Sequence, residues 1–288
     1  MIKKITIIGG SGLIGSELIK KLNTTDSNYE VSIVSGRKVN SNPESVSHLF
    51  NDTQIVINLS GYSIAGRWTK KRKKIICNSR VETTLNLISI LKKNKYIPKM
   101  LINASGVNIY KKNVTADENC KEYDTNFLAG VVREWEKAAF TASYMGINVA
   151  VIRMGVVLSR KGGAYTQFRK MVKYGFTGII GKGYQHFSFV HINDLVDGIL
   201  FIIENDIKGL VNVVAPECST NSEFVNTLAE KLKRKILFNI PSCFIKLVLG
   251  EGHILLTEGQ RVYPDILLKK GFVFKYNDIR KCIWNLEE

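Results

Sequence analysis

Long apolar runs are missing from this sequence of 288 residues. No stretch approaches the roughly 20 consecutive apolar residues that a transmembrane helix needs, so we expect no membrane attachment. Residues Met1 to Ile5 pass directly into a strand-like segment, which predicts a cytoplasmic protein without a signal peptide. Hydrophobic residues make up 45% and charged residues 23% of the chain, which is typical of a soluble globular protein.

Cysteine and histidine are scarce and scattered. The cysteines are Cys77, Cys120, Cys218, Cys243 and Cys282, and the histidines are His48, His186, His191 and His253. No two cysteines form a CxxC pair, and no histidine stands beside one at the spacing of zinc ligands. We therefore expect free thiols and no metal site.

Acidic residues are outnumbered by basic ones, which gives a net charge of +16. Such a charge can attract nucleic acid, anionic lipid or phosphorylated ligands. The densest basic run, Lys70 to Lys74, opens a helix-like stretch and has no interleaved aromatic residues. It favours a solvated helix face over an anion site, and no nucleic-acid fold signature is present. We expect no nucleic-acid partner.

The first half of the chain alternates apolar strands with amphipathic helices. Strands that are apolar on both faces and separated by helices predict a doubly wound parallel sheet of the Rossmann type. The predicted strands are Ile5–Ile8, Val31–Val34, Ile55–Leu59, Met100–Ala104 and Val149–Ile152. The predicted helices cover about Gly12–Leu22, Thr69–Lys93 and Asn126–Met145.

The pattern loosens after residue 155. We predict a dinucleotide-binding domain over residues 1–155, which also receives the segment near 187–214, and a substrate-side region over 156–288. That region contains a helix at about Asn193–Glu204, a strand at Leu210–Val214 and a small C-terminal domain from about residue 236. Thr220 and Glu223 have the spacing of a capping box, which starts a helix. A crevice is expected between the two parts.

A glycine-rich turn, Gly9-Gly-Ser-Gly12-Leu-Ile-Gly15, follows the first strand directly and opens a helix. Glycines let the backbone turn tightly, approach a pyrophosphate and pack the helix on the sheet, while the helix N-terminus stabilises the anion. An accidental loop is the alternative, but the strand before the turn and the helix after it favour a dinucleotide site.

The end of the second strand indicates which dinucleotide is bound. An acidic residue there would bind the ribose 2′-hydroxyl of NAD, whereas a basic residue would accept a 2′-phosphate. This chain has Val34-Ser-Gly-Arg37-Lys38, with two bases and no acid. NADP(H) is favoured over NAD(H), unless Arg37 and Lys38 are only solvated loop charges.

Further segments carry a family resemblance. They are Asn58-Leu-Ser-Gly61, Arg67-Trp68, Asn78-Ser-Arg-Val-Glu-Thr83, Asn103-Ala-Ser-Gly-Val107, Phe127-Leu-Ala129, Trp135-Glu136, Arg153-Met-Gly-Val-Val-Leu158, Phe189-Val-His-Ile-Asn-Asp-Leu195, Val211-Asn-Val-Val-Ala-Pro216 and Gly259-Gln-Arg-Val-Tyr-Pro264. With the glycine turn they resemble the atypical extended short-chain dehydrogenase/reductases called epimerase family proteins, which carry a C-terminal domain of unknown function. The resemblance covers nearly the whole chain. It implies a Rossmann fold and NADP binding, and it leaves the substrate open.

The resemblance also implies roles for individual residues. It places Gly9, Gly12 and Gly15 at the pyrophosphate, Arg37 at the 2′-phosphate, and Ser60 and Gly61 along the adenosine. The predicted cofactor contacts, taken together, are Gly9, Ser11, Gly12, Leu13, Ile14, Gly15, Arg37, Leu59, Ser60, Gly61 and Arg153. For Arg153, at the end of a strand, a structural ion pair is the equal alternative.

The usual acid/base pair of these enzymes, Tyr-x-x-x-Lys, is absent. Where it belongs, the chain reads Phe127-Leu-Ala-Gly-Val-Val-Arg133, which carries no exchangeable phenol proton. The nearest imitations, Tyr165-x-x-x-Arg169 and Tyr276-x-x-x-Arg280, lie outside the expected helix. The resemblance places Ser105 near the position where the short-chain dehydrogenase/reductase superfamily keeps a catalytic Ser or Thr, but the following run, Gly106 to Lys111, departs from the family's pattern.

The candidate catalytic residues are therefore Ser105, Tyr110 and Glu118. For Glu118, solvent exposure on a polar loop is the default alternative, and for His191 and Asp194 helix capping or turn stabilisation is favoured. We predict an NADP(H)-dependent oxidoreductase or epimerase-like enzyme. Its substrate is a small molecule, for which the basic charge favours an anion, and the protein is a monomer or homodimer. The alternative is a non-catalytic NADP(H)-binding sensor or scaffold.

Overall fold

The computed structural model describes residues 3–24, 29–175, 178–236 and 238–288. Strands and helices alternate through most of this length, as the apolar pattern predicts. The strands of the described residues are β1 (Lys3–Ile8), β2 (Tyr29–Val34), β3 (Ile55–Asn58), β4 (Met100–Gly106), β5 (Thr115–Ala116), β6 (Asn148–Met154), β7 (Val156–Leu158), β8 (His186–Phe187), β9 (Phe189–His191), β10 (Gly209–Val213), β11 (Ser219–Thr220) and β12 (Arg261–Val262).

Most of the helices lie between these strands. The α-helices of the described residues are α1 (Leu13–Thr24), α2 (Gly36–Ser41), α3 (Glu44–Ser47), α4 (Lys70–Asn78), α5 (Val81–Lys93), α6 (Phe127–Phe140), α7 (Gly163–Lys173), α8 (Ile192–Glu204), α9 (Asn221–Lys231), α10 (Ser242–Leu249), α11 (Ile254–Thr257), α12 (Asp265–Lys269) and α13 (Ile279–Leu286). Short 3₁₀ turns cover His48–Phe50, Val107–Ile109, Thr141–Met145 and Gly250–His253. None of the described helices is long and apolar enough to cross a membrane.

Six strands form one parallel sheet in the order β10-β6-β4-β3-β1-β2. Alternate residues of each strand pack against opposite layers of helices, because successive side chains point to opposite faces. Ile5 and Ile7 pack in the layer that contains α1 and α8, whereas Ile8 packs in the layer that contains α5. The predicted doubly wound, Rossmann-type sheet is confirmed.

The last strand of this sheet comes from the second half of the chain. β10 pairs in parallel with β6, so that Gly209 lies beside Ala150 and Val213 beside Met154. The segment predicted to join the first half therefore does so through β10. The division of the chain near residue 155 stays a prediction.

The helix predicted over Thr69–Lys93 is wrong as a single element, because the chain breaks between α4 and α5. In a continuous helix the Arg80 N–H would donate to the Ile76 carbonyl. That carbonyl instead accepts the Ser79 hydroxyl at 3.1 Å and the Arg80 guanidinium at 3.1 Å. The Arg80 N–H donates to Cys77. Side-chain donors thus replace the backbone donor and end the helix.

The second half builds its own apolar layer from α7, α9 and α13, with Phe168, Phe224 and Ile283 at its centre. The predicted capping box is confirmed, since Thr220 caps α9 and Glu223 accepts from the Thr220 N–H at 2.7 Å. On this side of the molecule α10 is anchored to the first half of the chain. Its C-terminal carbonyls, at Leu247 and Val248, accept from the Arg67 guanidinium.

The basic run from Lys70 to Lys74 forms the start of α4. Lys70, Lys71 and Lys74 are exposed, as predicted for a solvated face. Lys73 is half-buried and differs from that prediction: it pairs with Glu251 and lies 4.9 Å from the centre of the Phe127 ring. This contact links α4 to the C-terminal segment.

Candidate functional site

A cleft opens where the strand order reverses. β1 lies between β2 and β3, so the loops that follow these strands leave one edge of the sheet together. Ligands of open parallel sheets bind at such a point. The cleft has a volume of about 280 Å³ and is lined by Gly9, Ser11, Gly12, Ser35, Gly36, Arg37, Asn40, Leu59, Ser60, Gly61, Tyr62, Ser79 and Thr83.

The glycines of the turn have different tasks. Gly9 has φ +85°, and a Cβ there would lie 3.0 Å from the Leu59 backbone. A Cβ on Gly15 would lie 2.5 Å from the Gly9 oxygen, so Gly15 keeps α1 close to the sheet. Gly12 is exposed at the cleft, and a Cβ there would meet only the Gly9 oxygen, at 3.2 Å. Its missing side chain therefore leaves room for a ligand.

Ser60, at the end of β3, is held by a buried amide network. Its hydroxyl donates to Asn58 Oδ1 at 2.5 Å. The Asn58 amide in turn donates to Asn103 Oδ1 at 2.7 Å and to Thr84 Oγ1 at 3.0 Å. Fully satisfied buried networks of this kind fix their members in one conformation. The floor of the cleft is consequently preformed.

Arg37 lies in the first turn of α2, is exposed and lines the cleft. Within the described residues no carboxylate pairs with it. Its neighbour Lys38 is exposed and does not line the cleft. Of the two bases at the end of β2, only Arg37 is placed to contact a ligand here.

A second cavity, also of about 280 Å³, adjoins the first at Leu59, Ser60 and Gly61. It lies at the carboxyl ends of β4 and β6. Its remaining lining residues are Ile14, Ile64, Arg80, Ala104, Ser105, Gly106, Asn108, Leu128, Val132, Trp135, Met154, Gly155 and Val157. The cleft therefore continues from the glycine turn to the predicted catalytic Ser105.

The α6 face beside this cavity carries Leu128 and Val132. They are four residues apart, and each is 3% exposed. An i, i+4 pair lies on one helical face, as the Tyr and Lys of the usual acid/base pair would. The structure thus places these two apolar side chains, together with Trp135, on the cavity side of α6.

Ser105 is buried and faces inward. Its hydroxyl donates to Glu136 Oε1 at 2.6 Å. Glu136 also forms a two-point ion pair with Arg153, at 2.8 Å from Nε and 2.6 Å from Nη2. Burial lowers the pKa of Arg153, but the hydrogen bonds and charge of Glu136 outweigh it and hold that pKa above its ordinary value. The Ser105 proton is therefore engaged by the same carboxylate that pairs with Arg153.

Tyr110 belongs to the same buried network and does not line the cavity. It is 0% exposed; Arg153 Nη1 donates to its hydroxyl at 2.8 Å, and that hydroxyl donates to Asn212 Oδ1 at 2.9 Å. Burial raises the pKa of Tyr110 to about 12. This geometry supports a structural role rather than the predicted catalytic one.

Glu118 also lies away from the cavity. Its carboxylate accepts from the Asn212 and Ile266 N–H groups, and burial raises its pKa. It is buried, which differs from the solvent-exposed alternative considered for this loop. Glu118 ties β10 to the start of α12.

Not all of the predicted cofactor contacts reach a cavity. Gly9, Ser11, Gly12, Arg37, Leu59, Ser60 and Gly61 line the first cleft, and Ile14 lines the second. Leu13 packs against the Gly162–Gly163 turn, and Gly15 lies beneath the glycine turn. Arg153 is 1% exposed and forms an ion pair with Glu136. This contact matches the structural ion pair that was the alternative to a cofactor contact.

His191 caps a helix and Asp194 stabilises a turn, as the favoured alternative predicts. His191 Nδ1 accepts from the Asn193 N–H at the start of α8. Asp194 accepts from the Lys275 and Tyr276 N–H groups. Burial lowers the pKa of His191 to about 4, so the ring is neutral at physiological pH.

Sequence reasoning missed two charged residues of the site. Glu136 belongs to a segment of the family resemblance but received no predicted role, yet it connects Ser105 to Arg153. Arg80 lines the second cavity, where its guanidinium lies 5.3 Å from the Trp135 ring. Burial lowers the pKa of Arg80 to about 10, and no carboxylate pairs with it among the described residues. A basic residue inside an apolar helical pattern was the available signal.

A third, larger cavity of about 570 Å³ is built almost wholly from the second half of the chain. Lys182 and Lys246 line it without carboxylate partners in the part of the chain that the structure describes, and Lys112 lines it while paired with Glu258. His186 and His253 add two further nitrogen-bearing rings. The cavity is therefore basic.

Comparison with known proteins agrees with this geometry. Residues 5–214 match the NAD dependent epimerase/dehydratase family. The chain belongs to this family. Residues 240–286 match a domain of unknown function, DUF1731, which includes α10 and ends at the last residue of α13. The family resemblance stated from the sequence motifs is thereby confirmed.

Similar proteins cover almost the full length. An epimerase family protein of Staphylococcus haemolyticus is 32% identical over 96% of this chain and 97% of its own. The crystal structure of the human epimerase family protein SDR39U1 with NADPH has a TM-score of 0.88 and 28% identity, over 99% of both chains. A Bacillus cereus UDP-glucuronic acid 4-epimerase structure has a TM-score of 0.77 at 17% identity, over 99% of this chain and 98% of its own, and shows the shared fold alone.

Proposed function

We propose that this protein binds NADP(H) in the two adjoining cavities and acts on a small molecule beside the nicotinamide. The observation that carries the proposal is the open position at Gly12 combined with Arg37, which has no carboxylate partner among the described residues, in one cleft. A pyrophosphate fits beside a glycine-rich turn at the start of a helix. A guanidinium binds a phosphate through charge-assisted hydrogen bonds. The NADPH-bound human relative supports the same choice of cofactor.

Each part of the cofactor would have its own contacts. Gly9, Ser11 and Gly12 would hold the pyrophosphate, and Arg37 the 2′-phosphate. Ser60 and Gly61 would lie along the adenosine. Arg80 is a further candidate contact, since its charge faces the second cavity without a carboxylate partner in the described chain. The nicotinamide supplies a hydride acceptor or donor when it is bound.

Among its described lining residues, the second cavity offers no obvious side chain to transfer a proton to or from a substrate. Leu128 and Val132 cannot exchange a proton, and the Ser105 hydroxyl is engaged by Glu136. We propose that Ser105 offers its oxygen lone pairs to a ligand and that a proton, where one is needed, comes from the substrate or from water. Reduction of a simple carbonyl should then be slow even with NADPH bound.

The basic third cavity supports an anionic group on the substrate. Lys182 and Lys246 would contact it, since unpaired ammonium groups at a cavity wall attract anions. In this proposal residues beyond 155 supply most of the substrate contacts.

A non-catalytic NADP(H) sensor is the second candidate function. The apolar pair on α6 and the internally satisfied Ser105 favour it, because both leave the cofactor site intact while removing the usual proton donors. The two candidates differ in turnover and agree in cofactor binding.

The test is a titration followed by a turnover assay. NADPH should bind in the micromolar range or tighter, and absorbance should then follow its oxidation against a panel of sugar nucleotides and carbonyl compounds. We expect binding without rapid turnover. Rapid turnover that survives the combined change of Ser105, Tyr110 and Glu118 would place the active site elsewhere, and absent NADPH binding would reject the proposal.

A further inference from the structure

The polar side chains around the second cavity are mostly engaged with the protein. The Ser60 and Ser105 hydroxyls donate to Asn58 and Glu136, and the Trp135 indole N–H donates to Thr84 at 3.0 Å. Each of these donors is thus directed away from a ligand.

Apolar side chains form much of the remaining wall. Leu128 and Val132 come from α6, Ile64 from the loop before α4, Met154 from the end of β6 and Val157 from β7. Among the described residues that line the cavity, Asn108 has a side chain without a hydrogen-bond partner, and Arg80 uses only Nη1, toward Tyr62, Ile76 and Ser79. The part of the wall formed by Leu128, Val132 and Ile64 offers no side-chain donor or acceptor to a ligand.

The apolar wall continues into the C-terminal segment. Leu128 and Ile64 pack in one cluster with Trp68 and with Ile254 and Leu255 of α11. The side of the cavity formed by Leu128 and Ile64 is thus backed by apolar groups from both halves of the chain.

We infer that the group seated against Leu128, Val132 and Ile64 is an apolar or aromatic one and not a sugar ring; this inference rests on the proposed NADP(H) function. A pyranose would bury several hydroxyls against these side chains, and each unsatisfied hydroxyl lowers affinity by about tenfold or more. An apolar group has no hydrogen bonds to lose at this wall, and its transfer out of water is favourable in free energy. The substrate class is a compound with an apolar head and few hydrogen-bonding atoms near the reacting carbon.

Calorimetry on the NADP⁺-loaded protein tests this inference, because the oxidised cofactor cannot reduce an aldehyde during the measurement. The probes are naphthalene-2-carbaldehyde and methyl glucoside, an uncharged pyranose. We expect the aldehyde to bind at least about tenfold more tightly than methyl glucoside. Equal or reversed affinities would overturn the inference. It would also be overturned if the aldehyde bound the NADP⁺-free protein and failed to bind the NADP⁺-loaded protein, since the apolar wall would then contact the nicotinamide alone.

Variants locate the binding site. Val132→Thr keeps the shape of the side chain and adds one hydroxyl, so it should weaken aldehyde binding by about tenfold while NADP⁺ affinity is unchanged. Val131→Thr is the matched control, because Val131 is equally buried on the same helix and does not line the cavity. Ile64→Thr, on a half-buried loop position, is the second variant should Val132→Thr fail to fold. Equal effects of the control and both test variants would overturn the inference. A wild-type protein that does not bind NADP⁺ would overturn the proposed function as well.

Discussion

The two ends of the cleft use their polar groups in opposite ways. At the glycine turn, Gly12 leaves space and Arg37 is exposed without a carboxylate partner among the described residues. At the far end, Ser105, Glu136 and Arg153 satisfy one another in a buried network. At the first end the polar groups are open to the cleft, and at the second end they satisfy one another inside the protein. Substitutions of polar groups at the two ends should therefore have separate effects, on ligand binding at the first end and on stability at the second.

The largest expected effect concerns the buried ion pair at the far end. Glu136→Gln leaves the Arg153 cation buried without a counter-charge, which should lower the free energy of unfolding by about 3–5 kcal/mol. Urea unfolding measures this, and NADPH affinity of the folded protein should be unchanged. Glu134→Gln, at an exposed position on the same helix, is the control. A loss of NADPH affinity without a loss of stability would contradict the separation of the two ends.

The next effect concerns the glycine turn. Gly12→Val should weaken NADPH binding by roughly a hundredfold or more, about 2.7 kcal/mol, because the branched side chain would fill the space of the pyrophosphate. Circular dichroism should show a folded protein. Gly15→Val is the contrast, since its Cβ would collide with backbone and should impair folding instead. Normal NADPH binding by Gly12→Val would move the phosphate site elsewhere.

A smaller effect is expected at Arg37. Arg37→Ala should weaken NADPH binding by about tenfold, about 1.4 kcal/mol, and leave NADH binding unchanged, because only NADPH carries the 2′-phosphate. Lys38→Ala, which does not line the cleft, should change neither. Equal affinity of the wild type for NADPH and NADH would reject the predicted cofactor preference.

The smallest effect is expected at Ser105. Ser105→Ala removes one hydrogen bond and should lower the free energy of unfolding by about 1 kcal/mol, because Glu136 keeps its Arg153 partner. NADPH affinity should not change. A large fall in NADPH affinity, measured by fluorescence titration, would show that Ser105 contacts the cofactor directly.

The sheet and the glycine turn could be predicted because their signals are local. A strand that is buried on both faces is a short apolar run in the sequence. The turn needs glycine at Gly9 because the backbone there has a positive φ. The helix break at Arg80 is also local, but it depends on hydrogen bonds from the Ser79 and Arg80 side chains. The spacing of apolar residues carries no information about such bonds. An apolar pattern alone therefore merged α4 with α5.

The far end of the cleft could not be predicted because its contacts are distant in sequence. Ser105 and Glu136 are joined by a hydrogen bond across 31 positions, and Tyr110 and Asn212 across 102. Each residue alone had a plausible catalytic or binding role. Only their burial together shows that Tyr110, Glu118 and Arg153 satisfy partners inside the protein.

The position of β10 in the sheet has a consequence for how the chain acquires its fold during synthesis. β6 is finished at Met154, but its outer edge pairs only when Gly209–Val213 has been made. At about 5–20 residues per second, this leaves an open strand edge on the nascent chain for on the order of several seconds. Unpaired edges invite pairing with other chains. Truncated chains that are released from the ribosome and end before residue 209 should thus depend on chaperones more than released chains that end after residue 213.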